Sequence, residues 1–106
     1  MITWYDSLYM DDHIRQRATH VTQAIEDHKR LLGVYCIALA SNEKNLFDII
    51  NVNELLFQHY RRNQIYIIGL AQGKESAKKL VARIIEDVYR ETKDFKAREY
   101  FAEGGR

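Results

Sequence analysis

The stretch QIYIIGLAQGKESAKKLV, Gln64–Val81, decides how this chain folds. Ile65 to Leu70 is an apolar run with no polar alternation, the pattern of a strand covered on both faces. A turn containing Gly73 follows. Across 75–92, Ala77, Leu80, Val81, Ile84, Ile85, Val88 and Tyr89 then share one face at helical spacing. Lys78, Lys79, Arg83, Glu86, Asp87 and Arg90 lie elsewhere on that helix. The stretch therefore reads as strand, turn and long amphipathic helix.

The turn invites comparison with a phosphate-binding loop, G-x-x-x-x-G-K-[ST]. In that loop successive backbone N–H groups encircle the phosphates and the hydroxyl binds magnesium. Here three residues, not four, separate Gly69 from Gly73, and Glu75 stands where the hydroxyl should be. A carboxylate there repels phosphate. The dinucleotide fingerprint G-x-G-x-x-G is also missing. A structural reading accounts for the same residues: Gly69 admits a close helix crossing, Gly73 takes a positive φ, and Glu75 suits the positive end of the helix. A weaker expectation survives. N–H groups at the helix start, together with Lys74, could hold a small anion.

Working outward, VYCIALA at 34–40 is a second doubly apolar strand, and SNEKN at 41–45 is a turn cluster. LFDIINV at 46–52 reads as a further strand, making 34–52 a hairpin; the alternative is that it begins the next helix. Asn53 suits the N-cap of a short helix over 54–62, with Asn63 at its end. Residues 11–32 read as one long helix, with a seam of Ile14, Ala18, Val21, Ile25, His28 and Leu32. Asp11 and Asp12 suit its start, Lys29 and Arg30 its last turn, and Gly33 its stop. Trp4, Tyr5, Leu8 and Tyr9 make 1–10 an aromatic arm that packs on the domain or on a partner. Residues 93–101 pack through Phe95, Tyr100 and Phe101, and 102–106 read as a flexible tail.

The expected fold is a single α/β domain over 1–106 with a small three-stranded mixed sheet. Counting its strands along the chain gives the order 2-1-3, with 46–52 on one edge. A right-handed crossover makes 34–40 and 65–70 parallel. Their carboxyl ends then lie side by side, bringing Ser41, Asn42 and Asn45 next to Gln72, Gly73 and Lys74. That edge is where ligands of open α/β sheets bind. Arg61, in the run HYRR, is a further candidate contact for an anion or an acidic partner.

Sixteen basic and 15 acidic residues leave a net charge of +1, so broad binding to a nucleic-acid backbone is disfavoured. Cys36 is the sole cysteine, which precludes an intrachain disulfide, suits a reducing cytoplasm, and fits burial in mid-strand. The N-terminus lacks the basic and apolar regions of a signal peptide, and no apolar run reaches the ~20 residues that span a bilayer. A cytoplasmic setting without membrane contact is expected. His13 and His20 are seven residues apart, ~10 Å along a helix and too far for one metal ion. No nucleophile elbow or paired acids are present, so the reading leans against an enzyme and expects no cofactor or metal. An enzyme would need an intersubunit cleft, for instance one lined by His59, Arg61 and Tyr66.

The runs YCIALASNEKNLFDII, ELLFQHYRR and YIIGLAQGKESAKKLVARIIEDVYRET, with the opening WYDSLYM, resemble a group of small proteins from anaerobic, Clostridia-like Firmicutes. The group has no assigned activity. The last turn here reads GLAQGKESA, where many relatives resemble G-[YS]-x-E-A. The resemblance implies a bacterial, cytosolic protein and no particular mechanism.

The leading expectation is a non-enzymatic binding protein, a homodimer acting through protein–protein contacts, with Trp4, Tyr5 and Tyr9 as partner-binding residues. The alternative is a binder or sequestrant of a small anionic metabolite or nucleotide at the carboxyl edge of the sheet.

Overall fold

The computed structural model describes residues 2–39, 46–57, 64–93 and 96–102. In chain order the elements are β1 (Ile2–Met10), α1 (Asp12–Arg15), α2 (Ala18–Glu26), β2 (Val34–Leu39), β3 (Phe47–Asn51), a 3₁₀ turn (Val52–Leu56), β4 (Ile65–Gln72), α3 (Lys74–Thr92) and α4 (Ala97–Ala102). The strands form one mixed sheet in the order β1-β4-β2-β3. The three strands expected from sequence keep their expected order. The sheet has four strands, because the aromatic arm is itself the edge strand β1.

Residues 46–52 prove to be strand rather than helix through Asn51, pairing antiparallel with β2 from Tyr35↔Asn51 to Leu39↔Phe47. The direction of β4 corrects the sequence reading. It runs antiparallel to β2, from Val34↔Gln72 to Ala38↔Ile67. The reason is topological. The connection to β4 leaves from β3, after the hairpin has reversed the chain, so β4 follows β3 and opposes β2. The parallel partner of β4 is β1, from Ile2↔Ile65 to Met10↔Leu70. The carboxyl end of β2 therefore lies at the opposite end of the sheet from Gln72, and the expected meeting of the two carboxyl ends does not form.

The sheet is covered on both faces. On one, Val34, Cys36 and Ala38 of β2, Ile50 of β3, and Ile67 and Leu70 of β4 pack under Ile14, Val21, Ala24 and Ile25. On the other, Tyr5, Ile37, Ile68 and Ala71 pack under Ala77, Leu80, Ile84 and Val88 of α3 and under Ala97, Tyr100 and Phe101. This sandwich is why β2 and β4 lack polar alternation. The inward pattern of β4 steps by three, from Ile67 to Leu70 and from Ile68 to Ala71. A register shift explains it: Ile37 faces Gly69 while Ala38 faces Ile67. Gly69 serves close packing, since a Cβ there would lie 3.3 Å from Ile37 Cδ1 and 3.4 Å from Leu80 Cδ2. The expected crossing of a helix over this glycine is present.

The expected helix over 11–32 is two short helices. Arg17 leaves helical geometry (φ −135°, ψ 34°), and His28 takes a positive φ of 57° that ends α2. The last seam residues, His28 and Leu32, are exposed, and Leu31 is buried instead. The side chain of Asn53 accepts from Leu31 N and donates to Leu31 O, both at 2.9 Å, which fixes this exit from the helix. Within the described part of the helix expected over 54–62, the chain forms the 3₁₀ turn and leaves it at Phe57, with Asn51 Oδ1 capping the turn by accepting from Asn53 N; 58–63 lie outside the described residues. The long final helix matches expectation and ends on Lys93 at φ 62°. Tyr100 and Phe101 pack as anticipated, while Phe95 and 103–106 lie outside the described residues.

Candidate functional site

The carboxyl ends of β3 and β4, the amino end of β2 and the start of α3 converge at one end of the sheet. The turn into α3 is tied to the turn before β2: Gly73 N donates to Gly33 O at 2.7 Å, and Gln72 Nε2 donates to Leu32 O at 2.9 Å. Both glycines hold positive φ, 69° at Gly33 and 93° at Gly73. A side chain at Gly33 would also meet Gln72 Nε2 at 2.8 Å.

Asp11 completes this junction. Its Oδ1 accepts from Ile14 N at 2.9 Å and caps α1. Its Oδ2 accepts from Gln72 N at 2.8 Å and from the Ser76 hydroxyl at 2.6 Å, placing a negative charge at the positive end of α3. Burial alone would raise the Asp11 carboxyl. The hydrogen bonds from Ser76, Ile14 and Gln72 outweigh it and hold the group below the usual carboxylate range.

A cleft of about 430 Å³ opens beside this junction, within the size range of small-molecule sites. Arg30 and Lys74 bring two cations to it, and Glu54 one carboxylate. Ile49, Leu56 and Phe57 supply an apolar wall, with Tyr35 and Asn51 adding a phenol and an amide. Among the described residues, neither Arg30 nor Lys74 is in an ion pair. Asn53 also lines the cleft, but both ends of its amide are committed to Leu31. Asn51 uses its oxygen for the 3₁₀ cap, which leaves its amide nitrogen as a donor.

The candidates named from sequence separate into groups. Lys74 lies on the cleft. Gln72 and Gly73 are spent on structure: Gln72 binds Asp11 and Leu32 and accepts from Arg17, and the Gly73 N–H is taken by Gly33. Ser41, Asn42, Asn45 and Arg61 lie outside the described residues, as does His59. Tyr5 is core, 5 % exposed, with its ring edge-on to Phe101 at 4.9 Å. Tyr9 stacks on Tyr5 at 6.4 Å and donates to Asp87. Burial, then the bond to Asp87, pushes the Tyr9 phenol far above its ordinary range. Trp4 is half-buried and donates to Glu26.

Arg30, Tyr35, Asn51 and Glu54 escaped the sequence reading. A signal existed for Asn51, since Asn51-Val52-Asn53 at a strand end marks a side-chain-capped turn. Arg30 carried none beyond its charge. Cys36 is fully buried, and burial pushes its thiol up to about 12, the profile of a packing residue rather than a nucleophile. Among the described residues, no group of three His, Cys, Asp or Glu side chains is placed to hold a metal ion. Among the described residues, no helix is long and apolar enough to cross a membrane. No protein-family model, curated protein or solved structure matches the chain.

Proposed function

We propose that the protein is a non-enzymatic binding protein that takes a small organic anion, one with a planar or apolar body, in the cleft beside the start of α3. The observation that carries this reading is the convergence of Arg30 and Lys74 on one cleft. Among the described residues, two cations against the one carboxylate of Glu54 give the lining a net positive charge, suited to a phosphate or carboxylate group. Ile49, Leu56 and Phe57 suit an apolar or aromatic body, and the Asn51 amide a carbonyl or hydroxyl. The anion lies beside the carboxyl ends of β3 and β4. The resemblance to clostridial proteins suggests the bacterial cytoplasm as the setting.

Thermal denaturation with nucleoside monophosphates, phenyl phosphate and inorganic phosphate tests this. An organic phosphate raises the Tm in a saturable way, inorganic phosphate does so less, and Lys74→Ala removes most of the shift. Lys74 is exposed, so its loss leaves the fold intact. Equal shifts in the variant and the parent would refute the site.

A second reading, a homodimer acting through protein contacts, is favoured by Leu32 and Phe57, which are 92 % and 63 % exposed. Sedimentation decides it: a monomer at micromolar concentration removes the dimer and leaves the anion site untouched.

A further inference from the structure

A second cleft, of about 440 Å³, lies between β1 and α2. We infer that it binds an alkylammonium group. Its lining includes Trp4, Asp6, Leu8, Thr22, Gln23 and Glu26. Asp6 comes from an irregular part of β1: five steps from Trp4 to Tyr9 oppose two steps of β4, from Ile67 to Gly69. That bulge carries Asp6 and Leu8.

The chemistry of the lining selects a cation. Trp4 Nε1–H donates to Glu26, the Thr22 hydroxyl to Ala18 O at 2.9 Å, and Gln23 Nε2 to Asp27 Oδ1 at 3.1 Å. Each of these donors already has a protein acceptor, while the carboxylates of Asp6 and Glu26 keep oxygen lone pairs for a ligand. Among the described residues, no Lys, Arg or His lines the cleft. An anion would meet the charge of Asp6 and Glu26 with no cation in the described lining to offset it. An ammonium finds two carboxylates beside an indole, the aromatic that attracts cations best. Leu8 adds apolar surface for methyl or methylene groups. The site is separate from the Arg30–Lys74 cleft and stands or falls independently of it.

Trp4 is the sole tryptophan of the chain, so its emission reports on this cleft directly. The full chain is titrated with tetramethylammonium chloride, and separately with N-acetyl-lysine methylamide, against sodium chloride at matched ionic strength. One organic cation is expected to change the emission saturably while sodium chloride does not. Glu26→Gln keeps an oxygen for the indole N–H but removes the charge, and weakens binding about fivefold or more. Asp6→Asn, at an exposed position, gives a weakening in the same direction without touching the Trp4 bond. Saturation by tetramethylammonium alone assigns a methylated amine, and saturation by the lysine amide alone assigns a lysine side chain. No saturable change with either, or unchanged binding in both variants, overturns the inference.

Discussion

Asp11 is the residue on which the junction between α1 and α3 turns. One carboxylate caps α1, receives the backbone of Gln72 and holds the Ser76 hydroxyl. The sequence shows it only as an acid at a helix start; its service to a helix 65 residues away depends on the sheet bringing the two starts together. Its folded pKa lies below its unfolded value, so its contribution is complete above the unfolded pKa of ~3.9 and is lost as pH falls through the folded value. Asp11→Asn is expected to lower stability at pH 7 by about 1–3 kcal/mol and to flatten its fall between ~pH 5 and 2, because the variant has no carboxylate to protonate there. Urea midpoints across that range check it. An acid limb equally steep in the variant would mean that Asp11 is not held in its charged form by these bonds.

At the scale of elements, legibility followed from how local each determinant is. The helix α3 declares itself because its buried residues Ala77, Leu80, Ile84 and Val88 repeat at 3.6-residue spacing within one segment. The strands β2 and β4 declare themselves because burial on both faces removes polar residues. The strand β1 does not, since Asp6 and Ser7 fall in its irregular middle and break any alternation. The breaks within 11–32 are hidden in the sequence for the opposite reason. The seam there is regular, and neither glycine nor proline marks the breaks. What ends α2 is a tertiary requirement: Leu31 must reach the core and the Asn53 amide before β2 begins at Val34. His28 accommodates this at positive φ, where a Cβ is disfavoured. His28→Gly is therefore expected to hold or raise stability, by up to about 1 kcal/mol, in thermal or urea melts. Had the helix continued to Leu32, the same change would place glycine in mid-helix and cost about 1 kcal/mol.

At the scale of the molecule, strand order was readable and strand direction was not. Direction depends on which strand feeds the crossover, and a hairpin between β2 and β3 reverses the chain before that crossover starts. One reversal moves the carboxyl end of β2 away from Lys74. Among the described residues, those that share its cleft, Arg30, Tyr35, Asn51 and Glu54, come from the segment before β2, from β2 itself, and from the end of β3 and the turn after it. Only the antiparallel register Val34↔Gln72 and Tyr35↔Asn51 gathers them, so no local pattern announces the cleft. The anion site is tested most directly by titrating the ¹⁵N-labelled chain with phenyl phosphate and following amide chemical shifts. Saturable shifts are expected at Tyr35, Asn51 and Lys74, and Lys74→Ala abolishes them. Shifts confined to other parts of the chain, or none at millimolar ligand, would contradict it.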